Sequence, residues 1–366
     1  MARLLNPDPS SFFKGKRVLV TGHTGFTGAW MCQWLIHAGA DVHGFALAPE
    51  EGQDLNLFTV SRLGERMASE IGDIRDEAAI AACLARVKPE IVFHLAAQPL
   101  VRRSYVEPEM TYSTNVMGTM NVLRAAHAAG TKILVNITSD KAYLNREWVW
   151  GYRENDQLGG HDIYSSSKAC ADILATSFRL SYCGKEADMR LATGRAGNVI
   201  GGGDWAEDRL IPDIARAYRA GNNVTIRRPN AVRPWQHVLE AVRGYFQLAI
   251  ALSEGKTDIA AVNFGPDSEN VVEVGRLAEA IQDTLGQDLI VIDPDSSTVH
   301  EANLLRLDIT KAREELGWTP LMGFRQTVDL TTHFYKAIIE RPGDAERLLQ
   351  QDLDTYCGLL GSRPAA

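Results

Sequence analysis

Short apolar runs rich in β-branched residues alternate with helical segments along the first half of the chain. These runs are RVLVTG, DVHGFAL, EIVFHLAA, KILVNIT and DMRLATGRAGN, at residues 17–22, 41–47, 90–97, 132–138 and 188–198. A strand that is covered on both faces of a parallel sheet is apolar throughout, and the segments between these runs are long enough for crossover helices. The sequence therefore predicts an α/β fold built on a doubly wound parallel sheet.

The alternation of apolar runs and helical segments becomes less regular after about residue 196. Connections rich in glycine, proline and arginine follow, interrupted by predicted short strands at 224–227 and 261–264. We interpret this half as a smaller, mixed α/β domain. The helical segment at 234–253 is long and amphipathic enough to pack back on the first domain. The predicted division is residues 1–195, with 234–253 packed on them, for the first domain, and 196–233 with 254–366 for the second.

Charge and cysteine usage exclude several classes of protein. The chain has 38 lysines and arginines against 46 aspartates and glutamates, and this balance disfavours a nucleic-acid partner. The five cysteines are scattered without a C-x-x-C pair, so we expect neither a disulfide framework nor a metal site. No apolar run has the character of a signal peptide or the length of a membrane-spanning helix, so a cytoplasmic location without a membrane partner is expected.

A glycine-rich loop, GHTGFTG, lies between the first predicted strand and a helical segment. Gly22, Gly25 and Gly28 allow a tight turn, the approach of the backbone to a pyrophosphate, and close packing of the helix on the strand. A glycine-rich turn without a ligand is the alternative. The position after the first strand favours a dinucleotide, so we predict a Rossmann-type domain for residues 1–195 and a substrate-binding role for the second domain.

The glycine spacing of three and three resembles that of the short-chain dehydrogenases. The second strand lies in DVHGFALAPE and has no carboxylate at its tip for the adenosine ribose. No arginine or lysine stands at this tip or between the glycines to bind the extra phosphate of NADP. NAD is therefore the expected cofactor by elimination. The resemblance implies that Asp73 faces the adenine amino group, although a helix N-cap is an alternative role for it. The predicted cofactor-binding residues are Gly22, His23, Thr24, Gly25, Phe26, Gly28, Asp73, Ile74, Leu95, Ala96, Ala97, Tyr164 and Lys168.

Tyr164 and Lys168 are four residues apart on one predicted helix, so the ammonium lies one turn from the phenol. A neighbouring cation favours phenolate, which can accept a hydroxyl proton while hydride leaves the same carbon. A pair on the helix surface is the alternative. Ser139, at the end of the fifth predicted strand, completes a set that resembles the catalytic triad of the short-chain dehydrogenases and implies a hydrogen bond to the reacting oxygen.

Asp140 and Lys141 directly follow the triad serine in TSDKAY. Sugar nucleotide 4,6-dehydratases carry Asp and Glu at these places, and in their CDP-glucose branch the Glu becomes Lys. The chain resembles that branch over nearly its whole length, in the following segments: GHTGFTGAWMCQWL, GFALAP, HLAAQPLVRRSY, GRAGNVIGGGDWAEDRLIPD, RRPNAVRPWQHV and HEANLLRLDITKAREELGW. The resemblance implies NAD-dependent conversion of CDP-glucose to its 4-keto-6-deoxy form, a step toward deoxysugars of bacterial surface polysaccharides such as the O-antigen of lipopolysaccharide.

The chemistry of such a reaction requires two proton carriers beyond the triad. Oxidation of C4 acidifies the proton on C5, so a base at C5 and an acid at the C6 hydroxyl expel water, and hydride returns to C6. Asp140 is the natural acid if burial raises its pKa, and Lys141 the natural base if its pKa is lowered. Two alternatives stay open: Lys141 as a cation that stabilises the C5 enolate, and the pair as a solvated turn.

A sugar nucleotide also requires groups that bind its diphosphate and sugar. The family resemblance implies Asn198, Arg209 and Arg233 for the diphosphate, Asn263 for the same region, and Gln98 for the sugar. A nucleotide-sugar 4-epimerase or reductase is the nearest rival, and a regulatory protein on the same fold is another. Family members dimerise through helices like those predicted at 108–129 and 162–183, so a homodimer or homotetramer is expected.

Overall fold

A computed structural model describes residues 8–50, 52, 55–183, 188–256, 258–267, 271–293 and 304–360. Residues 300–303, at the start of the segment HEANLLRLDITKAREELGW, lie outside this part. The strands are β1 Arg17–Thr21, β2 Asp41–Ala46, β3 Ala68–Ile71, β4 Ile91–His94, β5 Ile133–Ser139, β6 Arg190–Ala196, β7 Val199–Ile200, β8 Val224–Ile226, β9 Val232–Arg233, β10 Gln236–His237, β11 Ala261–Phe264, β12 Val272–Glu273 and β13 Ile290–Ile292.

Helices connect these strands along the chain. They are α1 Ser10–Phe13, α2 Phe26–His37, α3 Leu57–Val60, α4 Glu77–Val87, α5 Val101–Val106, α6 Pro108–Tyr112, α7 Thr119–Ala128, α8 Ile163–Tyr182, α9 Leu210–Ala220, α10 Val238–Ser253, α11 Val274–Leu285, α12 Thr310–Leu316, α13 Phe324–Glu340 and α14 Ala345–Leu360. A π-helical segment, Ser113–Gly118, joins α6 to α7, and short 3₁₀ turns lie at Leu63–Glu65, Asp140–Ala142 and Pro342–Asp344. None of the described helices is long and apolar enough to span a membrane.

Seven parallel strands form the central sheet in the order β11-β6-β5-β4-β1-β2-β3. The chain moves outward in one direction from β1 to β3 and in the other from β4 to β11. This reversal confirms the predicted doubly wound α/β fold, and it opens a crevice beyond the carboxyl ends of β1 and β4, where such sheets bind ligands.

Strand β11 is part of the central sheet, whereas the sequence placed the strand at 261–264 in the second domain. The apolar run at 261–264 was assigned to the second domain, but the structure pairs it in parallel with β6, from Ala261 opposite Thr193 to Phe264 opposite Ala196. Helix α10 precedes β11 and packs on β5 and β6, so it acts as the crossover that returns the chain to the sheet. All four residues of β11 are buried, which is what a strand covered by α10 and α12 requires.

Two-stranded pairs lie outside the central sheet in the part of the chain after β6. Strand β10 pairs with β7 and β13 with β8 in parallel, whereas β12 pairs with β9 in the antiparallel direction. These short ladders carry residues of the second predicted domain to the carboxyl edge of the sheet. The two-domain division itself stays a prediction.

Candidate active site

The glycine loop follows β1 and leads directly into α2. Gly22 has φ +79°, and a Cβ at this position would lie 2.8 Å from the backbone nitrogen of Ala96. A Cβ on Gly28 would collide with the carbonyl oxygen of Gly22. The loop, the start of α2 and the segment after β4 therefore pack so closely that only glycine fits at these two positions, as expected of a turn whose backbone approaches a pyrophosphate.

The side chains of His23 and Thr24 hold this loop in place. The Nε2 atom of His23 lies 2.7 Å from the hydroxyl of Ser69, and burial lowers the pKa of His23 to about 4. The Thr24 hydroxyl donates a 2.9 Å hydrogen bond to the carbonyl of Leu47, beyond the end of β2. Both side chains therefore bond to protein groups of the β2 and β3 region.

Asp73 lies in the loop after β3 and bonds to Arg75. Its carboxylate accepts hydrogen bonds of 2.8 Å from the backbone nitrogen and from Nε of Arg75, and the pKa of Asp73 is lowered chiefly by this arginine. The N-cap of α4 is Asp76, which accepts from the backbone nitrogen of Ala79, so the N-cap alternative for Asp73 is wrong. Ile74 is buried, and its side chain fills the space that a Cβ on Gly118 would need.

A cavity of about 680 Å³ lies at the carboxyl edge of the sheet, between the glycine loop and the short ladders. Most of the predicted catalytic and diphosphate-binding residues line this cavity. Those lining it are Phe26, Leu95, Ala97, Ser139, Asp140, Lys141, Tyr164, Lys168, Asn198, Arg209 and Arg233. Its size suits an extended polar ligand such as a nucleotide bound together with a sugar.

Helix α8 presents Tyr164 and Lys168 to this cavity. The helix begins at Ile163, and Asp162 caps it by accepting a 2.8 Å hydrogen bond from the backbone nitrogen of Ser165. Burial raises the pKa of Tyr164 to about 12, against the opposing effects of Arg209 and the Ser139 hydroxyl. Burial lowers the pKa of Lys168 to about 8, although the nearby carboxylate of Asp172 opposes this change.

Ser139, Asp140 and Lys141 form one hydrogen-bonded turn. The Ser139 hydroxyl accepts from the backbone nitrogen of Lys141 at 3.2 Å and donates to Oδ1 of Asp140 at 2.9 Å. Asp140 is only 2% exposed, and burial raises its pKa against the opposing charges of Lys141 and Arg233. Its Oδ2 atom is buried without a hydrogen-bond partner among the described residues. Such an oxygen favours the protonated acid, which can donate to a ligand.

Among the residues expected to hold a substrate, Arg209 also bonds to a carboxylate of the protein. Its Nη1 atom donates a 2.8 Å hydrogen bond to Oδ2 of Asp204, and this aspartate raises the pKa of Arg209. Asn198 and Arg233 line the same cavity. The three predicted diphosphate ligands therefore line the same cavity as Ser139, Asp140 and Lys141.

Gln98 and Asn263 do not line the cavity. The amide of Asn263 donates to the carbonyls of Tyr152 and Asp308, and its oxygen accepts from the hydroxyl of Tyr143. The amide of Gln98 donates to Thr111. Both side chains are buried, where polar atoms must find partners, so protein groups occupy the amides that the family resemblance implied for a substrate.

The family model described as GDP-mannose 4,6 dehydratase matches residues 19–331. In addition, 336 residues, 90% of this chain, are 48% identical to a CDP-glucose 4,6-dehydratase of Salmonella typhimurium strain LT2, with 93% of that protein covered. The chain belongs to the GDP-mannose 4,6 dehydratase family.

More distant proteins are similar to this chain over most of its length. A UDP-glucose 4-epimerase of Mycolicibacterium smegmatis is 26% identical over 87% of this chain and 98% of its own. An epimerase structure from Methanothermobacter thermautotrophicus superposes with a TM-score of 0.78 at 23% identity, covering 93% of this chain and 98% of that one. A dTDP-glucose 4,6-dehydratase of Bacillus anthracis strain Ames, solved in complex with NAD, gives a TM-score of 0.73 at 20% identity, covering 92% and 100%.

Sequence reasoning missed two charged residues behind the turn of Ser139, Asp140 and Lys141. Asp172 follows Lys168 by four residues, and Arg195 stands inside β6; the two form a buried ion pair. The sequence contains a signal for this pair: the arginine lies within the apolar run LATGRAGN, and an arginine buried in a strand requires a buried acid as its partner. Within the described residues, no group of three histidines, cysteines or acids is placed to hold a metal ion.

Proposed function

We propose that this protein is an NAD-dependent CDP-glucose 4,6-dehydratase that forms CDP-4-dehydro-6-deoxyglucose. The observation that carries the proposal is the placement of Asp140 and Lys141 in one cavity with Tyr164 and Lys168. An epimerase or a reductase needs only the triad, whereas a dehydratase needs two further proton carriers. The relative from Salmonella, 48% identical, bears the name of this enzyme.

The residues of the glycine loop fit NAD. The contacts of Gly22 and Gly28 leave no room for any side chain, and the first turn of α2 offers backbone N–H groups toward a pyrophosphate. When bound, NAD supplies the acceptor and later the donor of hydride. Tyr164 takes the proton of the C4 hydroxyl, and the cationic form of Lys168 favours the phenolate that this requires.

Asp140 donates a proton to the departing C6 hydroxyl. Its raised pKa and unpartnered Oδ2 support this role. Lys141 acts at C5, either as the base or as a cation beside the enolate. Because the two residues are neighbours in the chain, the charge of Lys141 lowers the pKa of Asp140 and offsets part of the effect of burial.

The arginines of the cavity bind the diphosphate. Arg233 and Arg209 line the cavity together with Asn198, and guanidinium groups suit phosphate oxygens. The preference for cytosine follows from the relative's name alone. A homodimer or homotetramer, a cytoplasmic location, a role in O-antigen deoxysugar synthesis and the lack of nucleic-acid or membrane partners stay predictions.

The decisive experiment follows the C4 hydrogen of the sugar. CDP-glucose deuterated at C4 is incubated with the protein and NAD, and the products are analysed by NMR. We expect deuterium at C6 of a 4-keto-6-deoxy product. A galactose epimer with an intact C6 hydroxyl would support the rival 4-epimerase instead. Parallel incubations with UDP-, dTDP- and GDP-glucose, each with and without added NAD, define the base preference and the need for free cofactor.

A further inference from the structure

The turn that carries Ser139, Asp140 and Lys141 is attached at both ends to one buried ion pair. Thr138, immediately before the turn, donates a 2.9 Å hydrogen bond from its hydroxyl to Oδ2 of Asp172. Tyr143, two residues after Lys141, accepts at its hydroxyl a 2.7 Å hydrogen bond from Nη1 of Arg195. The turn itself closes through the backbone of Tyr143, whose nitrogen donates to the Asp140 carbonyl.

The ion pair is rigid and shielded from water. Both oxygens of Asp172 are engaged: Oδ1 accepts from Nη2 of Arg195 at 2.8 Å, and Oδ2 accepts from its Nε at 2.7 Å. The side chains of Asp172 and Arg195 are 0% and 3% exposed. A bidentate arginine and carboxylate pair fixes direction as well as distance, and burial removes the competition of water.

The same aspartate belongs to the helix that carries the oxidation machinery. Tyr164, Lys168 and Asp172 recur every four residues along α8 and therefore share one face of the helix. A carboxylate held by Arg195 thus fixes this stretch of α8 to β6, and through Thr138 and Tyr143 it fixes the turn of Asp140 and Lys141 to both.

We propose that the Asp172–Arg195 pair is a positioning unit that sets the distance between the groups that oxidise C4 and the groups that eliminate water across C5 and C6. The inference rests on the proposed function. One bound hexose reacts first at C4 and then at C5 and C6 without leaving the site. The groups that oxidise C4 and the groups that eliminate water must therefore keep a fixed distance from each other. Neither Asp172 nor Arg195 touches the reacting atoms, and both act through Thr138, Tyr143 and α8.

Two small substitutions weaken the attachment without removing the ion pair. Thr138→Val deletes the hydroxyl that donates to Asp172, and the carboxylate keeps its two bonds to Arg195. Tyr143→Phe deletes the hydroxyl between Arg195 and Asn263. In each variant we expect C4 oxidation to persist while elimination slows by about tenfold to a hundredfold, since misplacement on the order of 1 Å has effects of this size.

A matched control exists elsewhere in the chain. Tyr356 is as buried as Tyr143, and its hydroxyl accepts a 2.8 Å hydrogen bond from Arg243 and donates to Glu240, a second buried arginine and carboxylate pair outside the cavity. Tyr356→Phe therefore removes an equivalent buried hydroxyl. Its partition between oxidation and elimination should match that of the unaltered protein.

The measurement is the absorbance of reduced nicotinamide during turnover of CDP-glucose, together with the ratio of 4-keto sugar with an intact C6 hydroxyl to dehydrated product. A rise of both in Thr138→Val and Tyr143→Phe, but not in Tyr356→Phe, supports the proposal. Equal losses of oxidation and elimination, or no change, would overturn it. If the unaltered protein dehydrates no nucleoside diphosphate glucose, the proposed function has failed instead, and this is visible before any variant is made.

Discussion

The hydroxyl of Ser139 donates a 2.9 Å hydrogen bond to Oδ1 of Asp140, its neighbour in the chain. The triad residue expected to hold the C4 oxygen is thus bonded to the residue expected to protonate the C6 oxygen. This bond leaves Oδ2 of Asp140 as the oxygen available for a proton. A substrate hydroxyl that engages Ser139 would weaken the bond to Oδ1 and so favour the protonated acid, because the serine stabilises the carboxylate.

The double substitution Asp140→Asn with Lys141→Met should separate oxidation from dehydration. Asn keeps the size of Asp140 but cannot supply a proton, and Met removes the amine. We expect slow C4 oxidation to continue and dehydration to fall by at least about a hundredfold, the usual contribution of general acid and base groups. Reduced nicotinamide absorbance and product NMR report the two steps. Unchanged dehydration would remove the pair from the mechanism.

Tyr164→Phe should abolish C4 oxidation itself. Without the phenol there is no group to take the hydroxyl proton, and the expected loss is about a hundredfold to ten-thousandfold in kcat. The absorbance of reduced nicotinamide after mixing with CDP-glucose measures this step directly. Tyr105→Phe, a half-exposed tyrosine of α5 outside the cavity, is the control and should retain full activity. Oxidation at the normal rate in the Tyr164 variant would contradict the assignment.

Lys168→Met should inactivate the protein but stabilise its fold. Burial lowers the pKa of Lys168 from 10.5 to about 8, so below pH 8 the lysine is charged in both states and the folded state bears the full cost of burying the charge. This cost is about 3 kcal/mol, since one pKa unit corresponds to roughly 1.4 kcal/mol. As pH rises from about 8 to above 10, the folded protein loses the proton and the difference disappears.

Denaturant unfolding at pH 7 and at pH 10 checks this stability prediction. The gain of the Lys168→Met variant should be large at pH 7 and small at pH 10. Lys14→Met, at an exposed lysine, should show no comparable gain at either pH. A variant that is less stable than the unaltered protein at pH 7 would mean that the ammonium is well solvated or strongly paired in the folded state.

Gly28→Ala should lower the affinity for NAD. The added Cβ would collide with the Gly22 carbonyl, so either the loop or α2 must move away from the other. Calorimetric titration with NAD is expected to show at least about a tenfold rise in Kd, together with a loss of stability of about 1–3 kcal/mol from overpacking. Gly358→Ala, in α14 with open space around the new Cβ, should leave both quantities nearly unchanged.

Asn198→Ala and Asn263→Ala should have opposite consequences. Asn198 lines the cavity, so its loss should raise KM for CDP-glucose by about tenfold, which is the effect of removing one good hydrogen bond to a ligand. The free energy of unfolding should stay unchanged. The side chain of Asn263 makes hydrogen bonds to three protein groups, so its loss should lower the free energy of unfolding by about 1–3 kcal/mol with KM little changed. A raised KM for the Asn263 variant would restore its predicted substrate role.

The sequence by itself determined the elements that depend on local pattern. Uniformly apolar runs identified the five strands β1, β2, β4, β5 and β6, because a strand covered on both faces must be apolar. The spacing between Tyr164 and Lys168 placed them on one helix face, because the α-helix turns every 3.6 residues. The glycine pattern predicted that other backbone segments approach Gly22 and Gly28 closely, because only glycine lacks a side chain.

Only the tertiary structure decided which polar residues face the cavity. Asn263 and Gln98 lie in segments that resemble substrate-binding segments of the family. Because both side chains are buried, their amides bond to neighbouring backbone and hydroxyl groups instead. A sequence does not reveal which partners are near. The pairing of β11 with β6 and the attachment of the Asp140 turn to Arg195 join residues far apart in the chain. Such contacts are fixed by the packing of α8 and α10 on the sheet, which no local pattern contains.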